Sequence, residues 1–109
     1  MKAALIYSIT SSIFTKEYEL EIRRELYKIH GEAGKQYPDG YRFGWIAFDR
    51  FNKMKSVLFD CHPPKGAHYH IDGEQPGTSF EWTGLNDATT LFWMKVWEHF
   101  GDRIEGDEK

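Results

Sequence analysis

The stretch 58-LFDCHPPKGAHYHIDG-73 decides the fold that this sequence predicts, because it has the pattern of two short strands around a tight turn. Three of the five histidines of the chain lie in it. Its centre is Pro-Pro-Lys-Gly at 63–66, where Pro64 suits the second position of a type I turn and Gly66 the left-handed position that closes a three-residue hairpin loop. The stretch therefore predicts an antiparallel β-hairpin.

The loop also predicts the register of this hairpin. The expected cross-strand partners are His62 with His68, Cys61 with Tyr69, Asp60 with His70, and Phe59 with Ile71. Because side chains alternate between the two faces of a sheet, the polar members of these pairs share one face and the others share the opposite face. Opposed residues have Cβ atoms about 4.5–5.5 Å apart, so we expect one compact polar cluster, with Lys65 beside it at the turn.

This polar cluster allows three interpretations. In the first, His68 and His70 exchange protons with a substrate while Asp60 orients one of them. Lys65 then binds phosphate or stabilises developing negative charge, and such a set suits RNA cleavage. In the second, His68 and His70 bind a transition metal with a further ligand from Asp60 or His62, because a His-x-His pair on a strand points both imidazoles the same way. In the third, the histidines are surface residues or contact a partner.

The rest of the chain predicts further strands of the same sheet. Alternating apolar residues and a high content of β-branched and aromatic types are the signals. The predicted strands are 3–14, the first half of 18–29, 41–48, 56–62, 67–72 and 79–83. The assignment within 18–29 is open, because its spacing also suits a helix. A glycine-rich loop is predicted for 31–40.

A helix is predicted to follow the strands. Its apolar stripe repeats every four residues and consists of Ala88, Phe92, Val96 and Phe100. Asn86 is the predicted N-cap, Asp87 complements the helix dipole, and Gly101 is the expected C-terminal glycine. The predicted fold is therefore α+β, an antiparallel five- to six-stranded meander with a C-terminal α-helix packed on one face. The charged tail 102–109 is expected to fray.

Composition narrows the functional classes. The 109 residues predict a single domain, 1–109, and 17% aromatic residues favour a packed core. A formal net charge of −3 gives no general attraction to nucleic acid, so any RNA contact needs a local basic cluster. The single cysteine excludes an internal disulfide and a CxxC zinc site. Neither a signal peptide nor a membrane-spanning run is present in the sequence, which predicts a cytoplasmic protein without a membrane partner.

Three segments of the chain resemble the TumE-like family, the toxin half of certain type II toxin–antitoxin pairs. They are 41-YRFGWIAF-48, 58-LFDCHPPKGAHYHIDG-73 and 80-FEWTGLNDATTLFWMKVW-97. The specific part is the KGxHxH core of the second segment. The resemblance implies a small α+β toxin that cleaves RNA and is held inactive by a helix-turn-helix antitoxin protein.

The resemblance also assigns site residues by position. It implies Asp60, Lys65, His68 and His70 as catalytic residues, and Arg42 matches the basic residue of the earlier strand. With His62 on the same predicted face, Arg42 is the expected substrate-binding group. The implied activity is that of a metal-independent endoribonuclease, with neither metal nor other cofactor, and a homodimer is left open. The alternative is a non-catalytic module that uses the same histidine-rich face to bind a partner or a metal.

Overall fold

The structure, a computed structural model, describes residues 2–104. These residues form six β-strands, two short 3-10 turns and one α-helix. The elements are β1 (Lys2–Phe14), β2 (Glu19–His30), β3 (Tyr41–Asp49), β4 (Asn52–His62), β5 (Gly66–Ile71), β6 (Thr78–Ser79) and α1 (Leu85–Phe100). The 3-10 turns, Glu32–Gln36 and Pro38–Gly40, lie in the predicted loop between β2 and β3.

The strands make one antiparallel sheet in the order β1-β2-β3-β4-β5-β6, so each strand pairs with its neighbours along the chain. The predicted meander and the α+β class are confirmed. Strand β2 extends through the half whose spacing also suits a helix, because β1 and β3 satisfy its backbone groups on both sides. Strand β6 is shorter than the predicted 79–83, since only Thr78 and Ser79 pair with β5.

Helix α1 packs on one face of the sheet through the predicted stripe. Its buried residues are Ala88, Phe92, Val96 and Phe100. The ring of Phe92 makes edge-to-face contacts with Trp45 and Phe59, at centroid distances of 5.8 and 5.4 Å. These aromatic side chains bury large apolar areas and so fix the helix against the two central strands.

The predicted C-terminal end of the helix is confirmed, but its predicted N-cap is wrong. The helix begins at Leu85, so Asn86 lies inside the first turn and caps nothing. The Thr83 hydroxyl instead donates to Asp87 at 2.6 Å, which links the preceding segment to the first turn. Gly101 follows the last turn with a φ of 93°, a value that favours glycine. Within residues 2–104, no helix has the length and hydropathy that crossing a bilayer requires.

Part of the C-terminal tail is fixed rather than frayed. Arg103 forms an isolated β-bridge with Thr15, and the N–H of Ile104 donates to the carbonyl of Phe14 at 2.8 Å. These backbone bonds tie the chain after the helix to the end of β1. The remainder of the predicted tail, residues 105–109, lies outside the described residues.

The register of the β4–β5 hairpin differs from the predicted register by two residues. Asp60 pairs with His68 and Phe59 pairs with Tyr69, so the predicted pairs of His62 with His68 and Asp60 with His70 are wrong. The loop has the predicted three residues but begins one residue earlier in the chain. Gly66 has the expected positive φ of 79°, but it pairs with His62, so the loop consists of residues 63–65 and not 64–66.

The shift leaves the two faces of the hairpin as predicted, because side chains alternate with a period of two. Phe59 and Cys61 are buried under the helix, and Tyr69 and Ile71 pack against the same core. We call the opposite side of the sheet, which α1 does not cover, the open face. Asp60 and its polar neighbours belong to the open face.

Candidate functional site

Three titratable residues of β4 and β5 form a cluster on the open face. They are Asp60, His68 and His70, and one ligand atom from each lies within 4.8 Å of the others. We call them the Asp-His-His cluster. The imidazole rings lie nearly perpendicular, with centroids 5.1 Å apart. His68 is 5% exposed and His70 is 6% exposed, so neither is the solvent-exposed histidine of the third interpretation.

Both ring nitrogens of His68 contact protein oxygens. Nδ1 lies 2.9 Å from the carbonyl oxygen of Gly66, and Nε2 lies 2.8 Å from Oδ1 of Asp60. A neutral imidazole has a single N–H, so only one of these two contacts can be a hydrogen bond. The ring of His68 is therefore held between Gly66 and Asp60.

The ring of His70 is held by the connection between β5 and β6. Its Nδ1 lies 2.8 Å from the carbonyl oxygen of Glu74, a group that can only accept, so Nδ1 carries the proton. A Cβ on Gly77 would lie 2.7 Å from Cε1 of His70, closer than real Cβ contacts allow. The backbone of this connection therefore presses against the ring and leaves Nε2 as the nitrogen with a free lone pair.

The carboxylate of Asp60 is incompletely satisfied. Its Oδ1 is shielded from solvent, and no described residue donates a hydrogen bond to it when His68 carries its proton on Nδ1. The unprotonated Nε2 of His68 then lies 2.8 Å from this oxygen with no hydrogen between the two atoms. The Asp60 side chain as a whole is 25% exposed, so its solvent-accessible surface comes from atoms other than Oδ1.

Two adjoining cavities bring the other predicted residues to this cluster. The histidine cavity, of about 440 Å³, is lined by the cluster together with His62 and Lys65. The arginine cavity, of about 330 Å³, is lined by Arg42 with Asp60 and His62. Asp60 and His62 line both cavities. All six residues predicted for the site therefore meet along one stretch of the open face.

Tyr27 and Gly44 also line the arginine cavity, and neither of them was singled out from the sequence. The guanidinium of Arg42 lies over the ring of Tyr27, 4.6 Å from its centroid, which keeps the positive charge on the open face. Gly44 pairs with Asp60 across β3 and β4, and a Cβ there would meet no atom within 4 Å. A glycine in a central strand indicates close approach by another group, so this signal could have identified Gly44 from the sequence. No pattern in the sequence indicates a role for Tyr27.

Other reactive or aromatic groups lie outside the site. Cys61 is buried, and this burial raises the pKa of its thiol to about 11, so the thiol stays protonated at neutral pH and is not a nucleophile. Trp93 and Trp97 stack on each other at 5.4 Å and pack against the core rather than offering free rings to bases. His99 bonds Asp72 at 2.7 Å.

The donor set of the site is one carboxylate and two imidazoles, and the cations Lys65 and Arg42 and the carboxylate of Glu25 lie around it. Such a set can transfer protons or hold a divalent metal ion through Asp60, His68 and His70. No family model, curated protein or solved structure matches this chain. Inference of function therefore starts from the cluster and its two cavities.

Proposed function

We propose that this protein is an RNA-cleaving toxin component of the TumE-like kind, with the Asp-His-His cluster as its reaction centre. The observation that carries the proposal is the convergence of Asp60, His68 and His70 within 4.8 Å at the wall of a cavity that Lys65 also lines. The KGxHxH motif supplies these groups, and it is the specific part of the resemblance.

The chemistry of RNA cleavage fits this set of groups. When the 2'-hydroxyl of RNA attacks the adjacent phosphorus, it loses a proton, and the 5'-oxygen gains a proton as its bond to phosphorus breaks. The products are a 2',3'-cyclic phosphate and a 5'-hydroxyl. The cluster receives and returns protons in this scheme, while the negative charge on the phosphate needs nearby cations.

Two cations flank the reaction centre and bind the RNA backbone in this proposal. Lys65 lines the histidine cavity and Arg42 the arginine cavity, with Asp60 and His62 common to both. An RNA strand that lies across both cavities meets a positive charge in each. Lys65 and Arg42 together supply the electrostatic attraction to RNA phosphates that a net charge of −3 does not. Gly44 leaves room for the backbone or a base between them.

The partner in this proposal is a helix-turn-helix antitoxin protein, as the resemblance implies. An antitoxin that covers the open face would exclude RNA from both cavities. The toxin would act in the cytoplasm, where its RNA substrate is made.

Cleavage of labelled single-stranded RNA by the purified chain tests the proposal. We expect cleavage by the unmodified protein and a loss of at least about 100-fold in Asp60→Asn, because the cluster loses its negative charge. Lys65→Ala is expected to lose about 10- to 100-fold, the usual effect of one charge-assisted contact. The same order of effects is expected for growth arrest on expression.

The matched control is Lys16→Ala. Lys16 is an exposed lysine before β2, at the end of the sheet opposite the β4–β5 turn, so its loss should leave cleavage unchanged. Thermal melts must show that each variant remains folded. Absence of cleavage by the unmodified protein, or full activity of Asp60→Asn, would refute the ribonuclease proposal.

A further inference from the structure

We propose that Asp60, His68 and His70 form a binding site for one divalent transition-metal ion, with Zn²⁺ as the best match to the donor set. The family resemblance implies a metal-independent centre, so this inference departs from the resemblance and takes up the metal interpretation that the sequence left open. The site itself depends only on the geometry of the Asp-His-His cluster. The claim that the ion is the reaction centre for RNA rests on the proposed function.

The main reason is a surplus of lone pairs at one point. If His68 carries its proton on Nδ1, that nitrogen bonds Gly66, and the unprotonated Nε2 lies 2.8 Å from the buried Oδ1 of Asp60, which has no hydrogen-bond partner. If the proton is on Nε2 instead, the 2.9 Å contact with Gly66 has no hydrogen. A cation bound by both His68 and Asp60 removes this conflict, because it leaves Nδ1 protonated and gives the lone pairs on Nε2 and Oδ1 a partner.

His70 makes a metal ion a better solution than a second proton on His68. A second proton on His68 would satisfy only the contact between His68 and Asp60. A metal ion can also bind the ligand atom of His70, which lies within 4.8 Å of the other two ligand atoms. His70 has its Nδ1 occupied by the Glu74 carbonyl, so it too offers an unprotonated nitrogen. Three acceptors that converge without a donor among residues 2–104 are the arrangement that a cation needs.

The distances suit a zinc ion after the side chains adjust. Zinc binds nitrogen and oxygen ligands at about 2.0–2.2 Å, so two ligands of a tetrahedral ion lie about 3.4 Å apart. The 2.8 Å between Nε2 of His68 and Oδ1 of Asp60 must widen by about 0.6 Å, and a ligand pair separated by as much as 4.8 Å must close by about 1.4 Å. Two imidazoles and one carboxylate are also the ligands of catalytic zinc sites, which keep a fourth position open.

The surroundings of both histidines resemble the outer shell of a metal site. A metal-bound histidine usually donates its second N–H to a carbonyl or carboxylate, which fixes the ring. His68 does so to Gly66 and His70 to Glu74. Gly77 allows the second contact, because any side chain at that position would collide with the ring of His70. We infer that Gly77 positions this ligand.

The histidine cavity gives the ion access to a substrate. The cavity has a volume of about 440 Å³, lies over the three ligands and is also lined by Lys65. A ligand at the open position, such as water or a phosphate oxygen, would lie near that lysine. Zinc at this point would stabilise negative charge on a phosphodiester, which is the class of substrate in the proposed function.

Titration of the chelator-treated protein with Zn²⁺ alone tests the site. We expect one ion per chain by calorimetry and by elemental analysis after dialysis. Asp60→Asn and His70→Gln should each lower the affinity at least 100-fold, because each removes one of three ligands. His30→Gln is the control for nonspecific binding, since His30 is an exposed histidine at the end of β2, and it should bind like the unmodified protein.

A glycine variant tests the geometry without removing a ligand. Gly77→Ala should displace His70 and weaken Zn²⁺ binding about 10- to 100-fold, the usual effect of disturbing the outer shell. The matched control is Thr78→Ala, which alters the next residue, an exposed one, and should leave the affinity unchanged. Melting curves recorded in chelator separate a loss of ligand geometry from a loss of folding.

The outcomes separate the metal site from the proposed function. Absence of stoichiometric binding, or binding that survives both Asp60→Asn and His70→Gln in folded protein, overturns the site and leaves the ribonuclease proposal standing. Zinc binding that the variants abolish, without cleavage of RNA under any condition, supports the site and overturns the ribonuclease. Cleavage that chelator abolishes and zinc restores supports both.

Discussion

Gly34, Gly44 and Gly77 occupy three different environments, although none has the positive φ that requires glycine. A Cβ on Gly34 would lie 2.3 Å from the carbonyl oxygen of Ile29, and a Cβ on Gly77 would press on His70. A Cβ on Gly44 would meet nothing within 4 Å. The space around each glycine therefore shows its role. At Gly34 the backbone fold requires a residue without a Cβ, whereas at Gly44 the free space belongs to the candidate site.

This difference predicts opposite effects of alanine on stability. Gly34→Ala should lower the free energy of unfolding by about 1–3 kcal/mol, because backbone atoms must shift to make room. Gly44→Ala should raise it by about 0.5–1 kcal/mol, since alanine loses less conformational entropy in a strand. Urea denaturation measures both values. Equal effects at the two positions would contradict the steric account.

The helix and the β4–β5 hairpin show what patterns predict at the scale of an element. The four-residue repeat of α1 identified each buried residue of the helix, because its period fixes which side faces the sheet. Alternation in the hairpin likewise fixed the faces of Asp60 and Phe59. It did not fix the register, because pairing His62 with Gly66 or with His68 keeps the same parity. Only the actual position of the turn along the chain distinguishes these pairs.

Helix docking depends on the aromatic contacts of Phe92. Its side chain is fully buried against Trp45 and Phe59, so Phe92→Ala should cost about 3–5 kcal/mol in unfolding free energy. Met94 is 51% exposed on the same helix, and Met94→Ala should change stability by no more than about 0.5 kcal/mol. Chemical denaturation of both variants checks this, and a comparable loss at Met94 would show that the contacts of Phe92 do not hold the helix.

Residues 2–104 of the molecule share one core, which lies between α1 and the sheet. This core joins residues of β1 to β5 with the stripe of α1, including Ile13, Trp45 and Phe92. The bridge of Arg103 with Thr15 links the chain after the helix to the turn between β1 and β2. Because the helix and the sheet share this core, neither has a separate hydrophobic core of its own.

Unfolding is therefore expected to be a single cooperative transition. Tryptophan fluorescence reports the core through Trp45, and far-ultraviolet circular dichroism reports the strands and the helix. Their midpoints in urea should coincide, because loss of the helix exposes the core that stabilises the sheet. Separate midpoints, with helical signal lost first, would show that the helix docks as an independent unit.

The sequence by itself determined the strand meander, the buried stripe of the helix and the faces of the hairpin, because periodicity of two or four residues is a local property of the chain. It also identified six of the residues that line the two cavities, namely Arg42, Asp60, His62, Lys65, His68 and His70. The tertiary structure decided how they meet. The position of the turn set Asp60 opposite His68, and the connection through Glu74 and Gly77 folded back to fix His70. The unsatisfied oxygen of Asp60 arises from these nonlocal contacts, and no pattern in the sequence records them.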